Sequence, residues 1–100
     1  MSDKLFHELW DVAPLYDSMI CFIEDFKAET DEIVLQNIWT VAHMSVRDMV
    51  YSTGHTQVSF CDKFCLNART LRHWVSKNDN IRKPCPAYVR LAFARELGLI

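Results

Sequence analysis

Residues 67–74, NARTLRHW, place Arg69, Arg72 and His73 three and four positions apart, the spacing that shares one face of a helix. Those side chains are suited to reading duplex DNA. A guanidinium in the first turn of a helix can bond guanine N7 and O6 together, and Arg69 holds that position. Arg72 is one turn further on and suits the sugar-phosphate backbone, while His73 suits a base or a phosphate. Asn67 and Thr70 offer further polar contacts, and Ala68 a methyl group for the thymine methyl. Upstream, Gln57 opens a helix whose N–H groups can join its amide on a phosphate. Downstream, Lys77, Arg82 and Lys83 lie in a turn-rich stretch, where neutralising phosphate is the natural role.

These residues need two short helices and a tight turn to position them. Phe60, Cys61 and Phe64 form one apolar stripe, and Leu71 and Trp74 form another. Leu66 lies between them and can fill the angle of the turn. Thr56 and Asn67 are suitable N-caps. Packing the two stripes together predicts that Leu71 and Trp74 are core, with Trp74 on Phe60 and Phe64. Asn67, Ala68, Arg69, Arg72 and His73 then face outward.

The stretch TQVSFCDKFCLNARTLRHW, residues 56–74, resembles the lambda-repressor-like (Cro/CI, XRE) helix-turn-helix family. The resemblance rests on the TQ opening, the small residue at Cys61 and the TLRHW run, and covers roughly residues 44–97. It implies a sequence-specific regulator of transcription that binds double-stranded DNA. A repressor or autoregulator of phage, mobile-element or bacterial type is expected, acting as a homodimer. The turn position usually held by Gly in that family is Cys65 here, which is strained if its φ is positive.

Charge divides along the chain. The net charge is −2, but residues 1–54 carry −7 and residues 55–100 carry +5. Phosphate binding depends on local rather than global potential, so the acidic total does not exclude a nucleic-acid partner for the C-terminal half. No apolar run approaches the about 20 residues that span a bilayer, so no membrane partner is expected. The N-terminus is acidic and amphipathic, unlike a signal peptide, and the expected compartment is the cytoplasm.

Four cysteines raise metal and disulfides. Cys61 and Cys65 form a single CxxxC pair, and His55 and His73 are not at matching ligand spacing, so neither a metal nor a cofactor is expected. Cys61 instead suits a small-residue slot between helices. Only Gly54 and Gly98 are glycines, which excludes a Gly-rich phosphate loop, and no HExxH or GxSxG occurs. The chain does not read as an enzyme.

Half the residues are hydrophobic, and with so few glycines an all-α fold is expected: a bundle of five or six helices containing a helix-turn-helix. The pattern predicts helices over residues 3–12, 15–28 and about 31–52, then the two motif helices, then 87–97. Thr30 is the expected cap of the third helix. Ile38, Trp39, Ala42, Val46, Met49 and Val50 are its expected buried side, and Val89, Leu91, Ala92, Phe93 and Leu97 are the apolar set of the last helix. One domain covers residues 1–100, with 1–30 as an N-terminal helical extension and 31–100 as the DNA-binding core. The acidic extension has a wide apolar face. It can complete the core, join two copies, or bind another protein, as an antitoxin-like or anti-defence module would.

Overall fold

In the computed structural model, which describes residues 1–100, seven α-helices and one 3-10 turn follow one another and no strand forms. The helices are α1 (Asp3–Val12), α2 (Met19–Phe26), α3 (Glu32–Ala42), α4 (Val46–Ser52), α5 (Gln57–Phe64), α6 (Ala68–Val75) and α7 (Ala87–Glu96). The all-α expectation holds. The count exceeds the expected five or six, because the helix expected over 31–52 is two. Ser45 breaks it. Its hydroxyl accepts from Asp48 N–H while the Asp48 carboxylate accepts from Ser45 N–H, a reciprocal cap that starts α4.

Two other helix starts differ from the sequence reading. Residues 13–15 form the 3-10 turn around Pro14, and the following helix begins only after Ser18, whose hydroxyl caps it. Leu15 and Ile20 are exposed. Asp31 rather than Thr30 caps α3, accepting from Ile33 N–H.

The chain divides into two units, residues 1–43 with 98–100, and residues 44–97. The division falls between His43 and Met44, at the break in the expected long helix. In the first unit, Leu9, Trp10, Ala13, Phe22, Leu35, Ile38, Val41 and Ala42 are buried. Phe22 meets Tyr16 edge-on at 5.3 Å. The Tyr16 hydroxyl donates to Asp25, and its carbonyl accepts from the Trp39 indole. Trp39 is half-buried rather than core and stacks on His43 at 4.0 Å.

In the second unit, Val46, Met49, Val50, Phe60, Leu71, Val75, Leu91, Phe93 and Ala94 are buried. Phe93 is its hinge point, with ring centroids 5.1 Å from Phe60 and 4.6 Å from Phe64. Ala92, expected to be apolar core, is exposed, and Ala94 takes the buried position. No helix is long and apolar enough to cross a membrane.

Candidate nucleic-acid interface

α5 and α6 are joined by the three residues Cys65, Leu66 and Asn67. At the start of α5 the Thr56 hydroxyl accepts from Ser59 N–H at 3.1 Å and the Ser59 hydroxyl accepts from Thr56 N–H at 2.9 Å. At its end Cys65 takes the left-handed conformation, φ 53° and ψ 42°, and its N–H bonds the Cys61 carbonyl. A left-handed residue is a common way to end a helix and turn the chain sharply. Asn67 then caps α6, its Oδ1 accepting from Arg69 N–H at 2.8 Å.

The register of α6 follows from its apolar residues. Leu71 and Val75, four apart, are buried. Arg69 and Arg72 are thereby exposed and Thr70 and His73 half-buried, and Ala68, the first residue of the helix, is exposed as well. Trp74 differs from expectation. It is half-buried, its ring centroid is 6.0 Å from Phe93, and Val75 fills the core place assigned to it. Phe64 is likewise half-buried, while Leu71 and Phe60 lie in the core as expected.

Gln57, Arg69, Arg72 and His73 line one cleft of about 420 Å³, together with Arg47. Three arginines and no carboxylate line it. Ala68 lies instead beside a second recess of about 490 Å³ with Val58, Cys61, Asp62 and Leu66, and Gln57 and Arg72 border both. Asn67 acts through the cap, and Lys77 and Lys83 line neither recess. Both lysines are exposed. The loop bearing them is tied down: Lys83 N–H donates to the His73 carbonyl at 3.0 Å, and Asn78 organises the bend by accepting from Asn80 N–H. Arg82 is committed to Asp79 at 2.7 Å.

Arg47 is the site residue that sequence reasoning missed. Its guanidinium lies 5.2 Å over the Tyr51 ring and donates to the Val75 carbonyl. The Tyr51 hydroxyl accepts from the Gln57 amide at 3.2 Å. The signal was present, because Arg47 and Tyr51 stand at i and i+4 and share a helical face.

The division into units keeps the charge split. Residues 44–97 hold nine Lys and Arg against four Asp and Glu, a net +5, and the other unit carries −7. All four cysteines are free, and no three His, Cys, Asp or Glu side chains are grouped to hold a metal ion. No family model, curated protein or solved structure matches the chain.

Proposed function

We propose that this chain is a sequence-specific double-stranded DNA-binding regulator of transcription, with α5 and α6 acting as a helix-turn-helix and α6 as the helix that enters the major groove. The observation that carries this reading is the two-sided character of α6. Leu71 and Val75 are buried while Arg69 and Arg72 stand exposed beside a carboxylate-free cleft, and Ala68 is exposed at the start of the helix. Helix-turn-helix proteins read bases from the N-terminal part of the second helix, which is where Ala68 and Arg69 stand. The local charge of +5 supplies the attraction to phosphate.

Selection of bound sequences from random duplex DNA at fixed salt tests the reading. It expects a consensus, and a log affinity that falls linearly with log salt. Two half-sites related by a dyad would mark a homodimer. A selection that enriches nothing at low salt would overturn the proposal.

The acidic unit favours a second role, as a protein-binding surface. Phe6, Met19, Ile33, Val34, Ile38 and Ile100 line an apolar recess of about 660 Å³, and Ile33 is 74% exposed. Two copies meeting there would bring together units of −7 each, so the charge favours a basic amphipathic helix of another protein. Sedimentation equilibrium separates these occupants. A dimer abolished by Ile33→Asp would assign the recess to a second copy and overturn this role.

A further inference from the structure

The geometry points to Arg47, on α4, as a phosphate clamp that fixes the register of the protein on the duplex, an inference that rests on the DNA-binding reading. Three features of its setting support this. First, the guanidinium is held in place. It packs over Tyr51 at 5.2 Å and donates one N–H to the Val75 carbonyl at 3.3 Å, at the last residue of α6. A guanidinium has five donors, so four remain for an anion. Second, the contact spans three helices. Arg47 on α4 reaches the end of α6, and Tyr51 reaches Gln57 at the start of α5. An anion gripped by Arg47 is thereby tied to both helices of the motif. Third, the cleft lacks its counter-charge. Arg47, Arg69 and Arg72 line it with no carboxylate, and clustered cations of this kind call for an anion. A phosphodiester oxygen fits planar, bidentate guanidinium donors, and a DNA strand passing α6 presents one.

The division of labour follows. Arg69 stands at the exposed start of α6 and is free to read a base, whereas Arg47 is anchored to the protein and holds backbone. Its loss should weaken binding to every sequence and leave the consensus unaltered.

The test couples a protein change to a phosphate change. The duplex recovered by selection is prepared with single neutral methylphosphonates at successive positions. Binding to the wild type, Arg47→Met and Arg47→Lys is measured at fixed salt. Methionine keeps an apolar stem against Tyr51, and lysine keeps the charge without the fork. For the wild type, neutralising the clamped phosphate should cost tenfold or more. Arg47→Met should be weaker on the unmodified duplex and insensitive at that one phosphate, yet remain sensitive at the others. Arg47→Lys should regain part of the lost sensitivity at the same position. The non-additivity identifies the contact even if either variant is less stable. Equal sensitivity of wild type and Arg47→Met at every phosphate would overturn the clamp while leaving DNA binding intact. Absence of binding by the wild type to any duplex would overturn the DNA-binding reading, and the clamp with it.

Discussion

The Trp74 and Phe93 rings lie 6.0 Å apart, inclined at 57°, and of the two only Phe93 is buried. Phe93 touches Phe60 and Phe64 as well, so it joins α7 to both helices of the pair. Removing a buried aromatic ring costs about 3–5 kcal/mol, and Phe93→Ala should fall in that range. Trp74→Ala should cost about 1–2 kcal/mol, near the ordinary value for a point substitution. Urea unfolding of the two variants measures the difference. Equal costs would mean that Trp74 is buried and α6 is rotated from the register described.

The turn between α5 and α6 holds a residue in a conformation that Cβ disfavours. Cys65 has φ 53°, and a left-handed L-residue costs about 1–2 kcal/mol. Cys65→Gly removes that strain but adds freedom to the unfolded chain, so a net gain of about 1 kcal/mol or less is expected. The reverse change at Gly54, φ +78°, isolates the backbone effect, because a Cβ there would meet nothing within 4 Å. Gly54→Ala should therefore cost about 1 kcal/mol from strain alone. Thermal unfolding decides it, and a destabilised Cys65→Gly would count against the left-handed turn.

The caps at Thr56 and Asn67 were legible because each depends on local chemistry. The break at Ser45 had a local signal too, Ser45 followed three residues later by Asp48. It was hidden because Ile38, Ala42, Val46 and Met49 continue at helical spacing across the break, and all four are buried. Periodicity reports burial and does not report whether one helix or two supply it. The same limit explains Trp74 and Val75, since both lie within a turn of Leu71 and spacing alone does not say which is covered. Arg47 was only partly legible: its spacing to Tyr51 is local, but its hydrogen-bond partner Val75 is distant in sequence and brought to it by the fold.

Ser45→Ala tests how far that break depends on its cap. Loss of a serine N-cap costs about 1 kcal/mol, while the backbone N–H of residue 45 can still donate to the Asp48 carboxylate. Ser45→Asp, which supplies another good cap, should retain most of the stability. If alanine is silent in chemical unfolding, the break is fixed by packing on either side rather than by the cap.

Burial pushes the Cys85 thiol from the usual 9.0 up to about 11, an effect that nearby Arg90 partly offsets. The thiolate is the reactive form, so Cys85 should be alkylated last at pH 8, after the exposed Cys21 and Cys65. The raised value also links to stability. Below about pH 9 both folded and unfolded chains keep this proton; between about 9 and 11 only the unfolded chain releases it. The contribution is thus complete at neutral pH and lost as pH rises through that window. Cys85→Ala should flatten the alkaline fall in stability. Labelling of Cys85 as fast as Cys21 in native protein would show that the thiol is not shielded.

Arg69 carries the prediction on specificity. Its backbone N–H is fixed by the Asn67 side chain at 2.8 Å, so its place in the first turn of α6 is set by the cap. Its side chain is exposed and forms no ion pair within the protein. Arginine paired with guanine through two hydrogen bonds discriminates against a wrong base by about 1–3 kcal/mol. Arg69→Ala should therefore lose preference at one base pair of each half-site and leave the melting temperature nearly unchanged. Lys83→Ala should weaken all sequences alike and flatten the salt dependence by about one unit of slope. Repeating the binding-site selection on both variants separates base reading from phosphate attraction. A consensus unchanged by Arg69→Ala would mean that this arginine reads no base, and would favour phosphate contacts or the protein-binding role proposed for the acidic unit.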